Sequence, residues 1–176
     1  MKSFIASDIH GSGTYCRQLL DAVDRENPDK ILLLGDLLYH GPRNPLPAGY
    51  APKAVAEMLN GMKERLLCVR GNCDSEVDQM MLEFPILSDS ALVCWEGMTI
   101  YAAHGHHDFP PLQAGDVVLS GHTHIPDCKE EEGVRYFNPG SVSIPKEDSW
   151  HGYMVLENGV FTWKNLSGEI QRVENL

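Results

Sequence analysis

The sequence predicts a single α/β domain over residues 1–176, in which parallel strands with crossover helices precede a β-rich half that completes a layered sandwich. Three observations lead to this class. The composition is globular, with 43% hydrophobic and 22% charged residues. Strand-length apolar runs alternate with helical spacing in the first half, and hairpin patterns dominate the second half.

The first half alternates between strand and helix patterns. Apolar runs at residues 2–7, 30–36 and 65–69 have the length of buried strands. Each run is followed by apolar residues at helical spacing. In order, these are Cys16, Leu19, Leu20 and Val23; Val55, Met58, Leu59 and Met62; and Val77, Met80, Met81 and Phe84. This alternation predicts parallel strands joined by crossover helices.

The second half has the pattern of β-hairpins. The runs "ALVCW" and "MTIYAA" flank Glu96-Gly97, and "DVVLSG" follows at residues 116–121. The segment 128–137 is typical of a hairpin, and "YMVLENGVFTW" at 153–163 carries Asn158-Gly159, a strong hairpin-turn signal. An edge hairpin such as 153–163 can pair with a second copy, so a homo-oligomer is an open alternative.

One segment is unusually rich in proline. Residues 40–52, "HGPRNPLPAGYAP", contain four prolines, which are incompatible with a regular helix. We expect this segment to be a long loop over one edge of the functional site, and not a domain boundary.

Charge and composition limit the partners. The formal net charge of −11 opposes attraction to long nucleic acids and to anionic membranes, and we expect neither as a partner. No window approaches the length of a membrane helix, and the N-terminus does not resemble a signal peptide. We therefore expect a cytoplasmic protein whose five cysteines are reduced thiols.

Polar side chains capable of binding metal recur where the predicted strands end. The seven positions are Asp8, His10, Asp36, Asn72, His104, His122 and His124. Because the carboxyl ends of strands in an open α/β sheet meet at one edge, these residues are expected to converge. A lone histidine in such a place is usually structural, but seven positions in matching contexts favour a site.

The residue types indicate the chemistry of this site. Carboxylate, imidazole and carboxamide oxygen suit hard-to-borderline divalent metals, whereas a structural zinc site usually recruits thiolates. A shared carboxylate can hold two such ions about 3.5–4 Å apart, an arrangement suited to displacement at phosphorus. Glycines beside the ligand positions allow the backbone to approach closely; these are Gly35, Gly71, Gly105 and Gly121.

Five short motifs then resemble, in order, the signature blocks of the calcineurin-like metallophosphoesterases. They are "DIH" (Asp8, His10), "GD" (Asp36), "GNCD" (Asn72), "HGH" (His104) and "GHTH" (His122, His124). The "GNCD" variant and "NPGSVSIPK" at 138–146 resemble the small YfcE-like phosphodiesterase branch. The resemblance implies a four-layer αββα sandwich and two divalent cations, often Mn²⁺. The ligand types also accept Zn²⁺, Fe²⁺ or Co²⁺.

The resemblance also implies roles for the seven residues. It puts Asp8, His10 and His124 on the first metal and Asn72, His104 and His122 on the second, with Asp36 bridging both. It further implies a phosphodiesterase acting on small phosphodiesters, in which a metal-bridging hydroxide attacks the phosphorus.

Cys73 stands where the wider family has a histidine thought to protonate the leaving oxygen. A thiol with a pKa of about 8.5 is a poor substitute near neutral pH. We interpret Cys73 as the position of a missing general acid, and not as a nucleophile. Aryl phosphodiesters, whose leaving groups need little protonation, should then react faster than alkyl ones.

Two further residues are candidates at the site. His106 either replaces the missing acid in part or orients His104. Arg43, in the proline-rich loop, either grips a phosphate oxygen or is an ordinary exposed arginine. The sequence leaves both pairs of alternatives open.

The sequence disfavours two other hydrolase classes and leaves two alternative functions open. A cysteine-based phosphatase needs an arginine six positions after its nucleophile, but the residue six positions after Cys73 is Gln79. A serine hydrolase of the nucleophile-elbow type is also disfavoured, because no GxSxG motif occurs. A phosphomonoesterase or nucleotide phosphatase on the same metal core is an alternative. A catalytically weak interaction scaffold of the retromer-subunit type is another, and the loss of ligands would indicate it, but all seven positions are filled.

Overall fold

The computed structural model describes residues 1–95 and 98–176, and Glu96-Gly97, which the sequence places between two strands, lies outside the described residues. The strands are β1 (Lys2–Ala6), β2 (Lys30–Leu33), β3 (Leu66–Cys68), β4 (Ser90–Trp95), β5 (Met98–Ala103), β6 (Val117–Leu119), β7 (Pro126–Glu131), β8 (Val134–Pro139), β9 (Gly152–Glu157), β10 (Val160–Asn165) and β11 (Ile170–Asn175). The α-helices are α1 (Gly13–Glu26), α2 (Pro52–Asn60) and α3 (Glu76–Gln79), and a 3₁₀ turn spans Lys63–Arg65.

The strands form two sheets. The six-stranded sheet has the order β11-β10-β9-β1-β2-β3, with β1, β2 and β3 parallel. The five-stranded sheet has the order β4-β5-β6-β8-β7, with β5, β6 and β8 parallel. The predicted α/β class, with crossover helices first and hairpins later, is confirmed.

The central strands are buried on both faces, which explains why they read as continuous apolar runs. In β1, Phe4 and Ala6 pack among the buried residues of α1 and α2, whereas Ile5 packs between the sheets. Phe137 of β8 meets Trp163 of β10 across the two sheets, with ring centroids 5.5 Å apart. Each such large apolar side chain contributes roughly 1.5–3 kcal/mol on burial, so this layer binds the two sheets into one body.

The outer face of the five-stranded sheet is covered differently from the face that carries the helices. Phe109, from the segment 104–116, packs at ring-centroid distances of 6.1 Å from Tyr101 and 6.0 Å from Tyr136. In the described residues, the segment 104–116 contains no helix, and it takes the place of the second helical layer of an αββα sandwich. None of the described helices is long and apolar enough to cross a membrane.

The third helix is shorter than the sequence predicts and exposes the residues that suggested it. Helix α3 is a single turn, and Val77, Met80 and Met81 are 69%, 84% and 45% exposed. Only Phe84 of the predicted apolar face is buried. The prediction of an amphipathic helix packed on the core is therefore wrong here.

The side chain of Gln79 explains why this helix ends early. It donates to the backbone carbonyls of Leu82 and Phe84 and accepts from the backbone N–H of Ile86. These bonds hold the chain in a non-helical path in which Leu82, Phe84 and Ile86 reach the core. Helical spacing cannot reveal such a competing set of side-chain-to-backbone bonds.

The hairpin at 153–163 forms as predicted but lies inside its sheet. Asn158 and Gly159 both adopt positive φ, 52° and 74°, as the predicted turn requires. Strand β9 pairs with β1, and β10 pairs with β11, so neither offers a free edge. The prediction of an edge hairpin is wrong, because β11, which the sequence does not signal, occupies the edge.

Candidate metal centre

The predicted ligands lie in the turns that follow parallel strands. Asp8 and His10 follow β1, Asp36 follows β2, His104 follows β5, and His122 with His124 follows β6. The carboxyl ends of these strands share one end of the sandwich, which is where the strand directions predict a site.

The backbone at these turns is unusual. Asp8, His10, Asp36, His122 and His124 all have positive φ, between 49° and 66°. Such conformations are uncommon outside glycine and cost on the order of 1–3 kcal/mol each. Five of them at predicted ligand positions indicate that the fold bends each turn to direct a side chain into one place.

Five of the seven side chains meet in a buried cluster. Nε2 of His10 lies 3.4 Å from Oδ1 of Asp8 and 3.7 Å from Oδ2 of Asp36. Nε2 of His124 lies 3.2 Å from Oδ1 of Asp8, and Nε2 of His104 lies 3.4 Å from Oδ2 of Asp36. All five residues are nearly inaccessible to solvent. The cluster therefore has the composition and spacing of a metal site.

Three of the imidazoles are held from behind by backbone carbonyls. Nδ1 of His10, His104 and His124 lies 2.8, 2.5 and 2.7 Å from the carbonyl oxygens of Tyr39, Leu34 and Ile144. An Nδ1–H that donates to a carbonyl leaves Nε2 as the free lone pair. The rings are therefore oriented as metal-ligating histidines are, with Nε2 directed into the cluster.

The contacts inside the cluster are incomplete without a cation. With Nδ1 protonated, Nε2 of His10 and Nε2 of His124 are both acceptors, yet they lie 3.1 Å apart. Oδ1 of Asp8 and Nε2 of His104 are buried and have no hydrogen-bond partner among the described residues. Buried polar atoms are rarely left in this state, so the donor set fits one or more bound divalent ions.

The charges of the cluster lead to the same conclusion. Burial alone would raise the pKa of Asp8, but the contacts with His10 and His124 hold it well below its ordinary value. Burial would lower the pKa of His104, but Asp36 and Asp8 raise it to about 9. Positive charge beside the buried carboxylates therefore stabilises the cluster, and protons on the imidazoles or divalent cations can supply it.

Two glycines are required by close approach to the ligands. A Cβ on Gly71 would lie 2.1 Å from Oδ1 and 2.3 Å from the backbone N of Asp36. A Cβ on Gly121 would lie 1.9 Å from Oγ of Ser7 and 2.8 Å from Oδ2 of Asp8. Only glycine fits at either position, as the sequence pattern suggested for both.

Asp74 has a role that the sequence does not reveal. Its carboxylate accepts from the backbone N–H groups of Asp36 (2.8 Å), Leu37 (2.9 Å) and Gly71 (2.8 Å). Asp74 does not cap α3, because Ser75 is the N-cap of that helix. Asp74 instead ties the turn after β3 to the turn that carries Asp36.

The segment 138–143, which begins with "NPGS", braces another turn of the site. Ser141 and Ser143 donate through Oγ to the backbone carbonyl of Asp8 at 2.9 and 3.1 Å. Asn138 donates through Nδ2 to the carbonyl of Gly121 at 2.7 Å. Sequence reasoning found this motif only as a resemblance and could not assign these positioning contacts.

Asn72 and His122 lie at the rim of the cluster. Both line a polar cleft of about 410 Å³ that also contacts Asp36 and His124. His122 packs 5.1 Å from the ring of His104 and donates its backbone N–H to Oδ2 of Asp8. Four of the seven predicted ligands thus line the cleft, and two of these, Asp36 and His124, also belong to the buried cluster of five.

Two cationic side chains line the same cleft. Arg43 does so from the proline-rich loop, together with Gly41, Pro42 and Asn44. Lys146, whose backbone N–H donates to the carbonyl of His124, lines the cleft as well. Sequence reasoning missed Lys146, since only its place after the "NPGS" segment pointed to it. Both cations are placed to meet an anionic ligand.

Cys73 lies beside the buried cluster. Its Sγ is within 4.8 Å of potential ligand atoms of His10 and Asp36, and its backbone N–H donates to Oδ1 of Asp36. Burial, followed by the charge of Asp36, raises the pKa of this thiol to about 12. The protonated thiol is neither an activated nucleophile nor an effective proton donor at neutral pH.

His106 lies near the cluster but outside it. Its ring centroid is 5.4 Å from that of His104 and 6.1 Å from that of His122. Burial, with the charge of His104, lowers the pKa of His106. Since the carbonyl of Leu34 contacts Nδ1 of His104, that carbonyl, and not His106, orients the His104 ring from behind.

Comparison with known proteins identifies close relatives. A family profile, that of the calcineurin-like phosphoesterase superfamily domain, matches residues 1–159. Phosphodiesterase YfcE of Escherichia coli K12 is 45% identical over 166 residues, which cover 92% of this chain and 90% of that protein. The solved structure of the phosphoesterase Yfce from E. coli matches with a TM-score of 0.95 and 42% identity over 99% of each chain. Vps29 of Entamoeba histolytica, solved with zinc, shows a similar fold at a TM-score of 0.61 and 19% identity over 100% of this chain and 98% of that one.

Proposed function

The chain belongs to the calcineurin-like phosphoesterase superfamily, in its YfcE-like branch, and from this premise we propose that it is a metal-dependent phosphodiesterase acting on small phosphodiesters. The observation that carries the proposal is the buried cluster in which Oδ1 of Asp8 and Nε2 of His104 have no hydrogen-bond partner within residues 1–95 and 98–176. An open polar cleft beside this cluster offers room for a phosphoryl group.

We propose that seven residues hold two divalent cations, with Mn²⁺ as the first candidate and Zn²⁺, Fe²⁺ and Co²⁺ as alternatives. Asp8, His10 and His124 form one ligand group, and their ligand atoms lie within 4.8 Å of one another. Asn72, His104 and His122 form the other, and Asp36 is shared. Support for the shared role comes from Oδ2 of Asp36, which faces both His10 and His104.

When bound, such a pair of cations supplies a water of lowered pKa as the attacking group and positive charge for the phosphoryl oxygens. The protein orients this chemistry through the carbonyls of Tyr39, Leu34 and Ile144, which hold three imidazoles in place. Arg43 and Lys146 stand at the cleft wall, where they can hold a phosphoryl oxygen or an anionic substituent.

We further propose that the site lacks a strong general acid. The thiol of Cys73, with its pKa raised to about 12, holds its proton too tightly to protonate a leaving alkoxide efficiently. His106, with a lowered pKa, is mostly neutral at neutral pH and remains a candidate for a partial contribution. Substrates whose leaving groups depart as stable anions should therefore react best.

A metal-by-substrate screen tests the function. The purified protein is stripped with a chelator, reloaded with Mn²⁺, Zn²⁺, Fe²⁺ or Co²⁺, and assayed on a bis-aryl diester, cyclic nucleotides and simple monoesters. We expect the bis-aryl diester to be hydrolysed fastest, with no turnover in the stripped protein. A preference for monoesters under every metal would favour the phosphatase alternative, and silence under every metal would favour the scaffold.

Replacement of the thiol tests the missing acid. We expect Cys73→His to raise kcat on alkyl diesters by about 10²-fold, the lower end of what a positioned acid contributes, with little change on bis-aryl diesters. The measurement is kcat across diesters of graded leaving-group pKa. Cys73→Ser serves as the matched control, since a hydroxyl adds no useful acid. An equal effect of both variants on alkyl and aryl diesters would contradict the missing acid.

A further inference from the structure

A second cleft adjoins the polar one at Cys73. It has a volume of about 460 Å³, and its lining includes Tyr39, Tyr50, Val77, Met81 and Cys73. Cys73 also lines the polar cleft of about 410 Å³. Both volumes lie in the range of small-molecule sites. The two clefts therefore meet at the side chain that borders the buried cluster.

The two clefts differ in chemistry. The polar cleft presents Arg43, Asn44 and Lys146, which suit an anionic or hydroxylated group. The second cleft presents two phenol rings together with Val77 and Met81, and Lys53, Ser75 and Asp78 also line it. Aromatic rings and methionine offer broad, adaptable contact to a flat apolar group.

The apolar residues of the second cleft are exposed where burial would be expected. Val77 is 69% exposed, Met81 is 45% exposed and Tyr39 is 42% exposed. Leu82 and Phe84, close to Val77 and Met81 in sequence, are buried in the core. The segment 76–84 therefore packs part of its apolar surface and leaves Val77 and Met81 exposed. Grouped exposed apolar residues beside a functional site are typical of a binding surface.

Tyr39 contacts both this cleft and the buried cluster of predicted ligands. Its backbone carbonyl contacts Nδ1 of His10 at 2.8 Å, while its side chain lines the apolar cleft. A substrate phosphorus held near Asp36 would thus lie close to Cys73, which lines both clefts.

Resting on the proposed phosphodiesterase function, we propose that the enzyme is built for asymmetric phosphodiesters. One ester group, aryl or similarly flat and apolar, binds in the cleft of Tyr39, Tyr50, Val77 and Met81. The other, hydroxylated or anionic, binds in the cleft of Arg43 and Lys146.

Binding of two inert probes to the Mn²⁺-loaded enzyme tests this proposal. The probes are the monomethyl esters of phenylphosphonic acid and of methylphosphonic acid. They differ only in the group on phosphorus, which is a phenyl ring in the first and a methyl group in the second. We expect calorimetry to show at least tenfold tighter binding of the phenyl probe to the unaltered enzyme. We expect V77S/M81S to reduce that ratio by about tenfold, and M81S alone to reduce it in part.

M80S is the matched control. Met80 is on the same segment and 84% exposed, but it does not line the cleft, so its replacement should leave the ratio unchanged. Equal affinity of the two probes, or an unchanged ratio in V77S/M81S, would overturn the proposal. A dimer that dissociates in V77S/M81S with no change in the ratio would identify the patch as a contact between copies and would overturn it too.

The hydrolysis screen separates this proposal from the one on which it rests. Hydrolysis of the bis-aryl diester with an unchanged probe ratio would reject only the apolar cleft. Absence of hydrolysis of any diester would reject the function, whatever the probes show.

Discussion

Asp36→Asn is expected to lower the hydrolysis of a bis-aryl diester by about 10³-fold. Oδ2 of Asp36 faces Nε2 of both His10 and His104, and Oδ1 accepts from the backbone N–H of Cys73. The variant keeps the shape of the side chain but removes the negative charge that would hold both cations. Charge stabilisation by bound metal is worth several kcal/mol, and about 1.4 kcal/mol corresponds to tenfold in rate.

The metal content provides a second readout for this variant. Atomic emission of the dialysed protein should show fewer bound Mn²⁺ ions per chain in Asp36→Asn than in the unaltered protein. Asp21→Asn, at an exposed position of α1, is the matched control and should change neither rate nor metal content. Full metal content with undiminished activity in Asp36→Asn would exclude the shared-ligand role.

Asp74→Asn is expected to destabilise the protein by about 1–3 kcal/mol and to reduce activity with it. The carboxylate of Asp74 accepts three backbone N–H bonds, two through Oδ2 and one through Oδ1. An amide has one oxygen, so at least one of the donors on Asp36, Leu37 and Gly71 would be left buried and unpaired. Such a loss costs roughly 1–3 kcal/mol, and the new amide N–H₂ would face a donor.

Urea unfolding of the metal-free protein at neutral pH measures this effect apart from metal binding. The midpoint should fall in Asp74→Asn with little change in the slope. Asp24→Asn, at an exposed position of α1, controls for the loss of one negative charge. If the two variants unfold at the same urea concentration, Asp74 does not brace the turns as the structure indicates.

In the segment 76–84, the spacing of apolar residues does not predict the structure correctly. Its apolar spacing predicts a packed helix, but Gln79 binds the backbone of Leu82, Phe84 and Ile86 and ends the helix after one turn. The side chains left outside, Val77 and Met81, then line the second cleft. Competing side-chain bonds of this kind depend on the path of the chain and have no periodic signature.

By itself, the sequence determined the α/β class, the loop over the site and the convergence of Asp8, His10, Asp36 and His104 with the "GHTH" residues. This was possible because parallel strands end at one edge, so ligand types at strand ends can be recognised locally. The tertiary structure alone decided which atoms of the described residues lack hydrogen-bond partners, how Asp74 and Ser141 hold the turns, and that Cys73 lines two clefts. Those features join residues distant in sequence, and such contacts arise from packing, which periodicity and motif spacing do not encode.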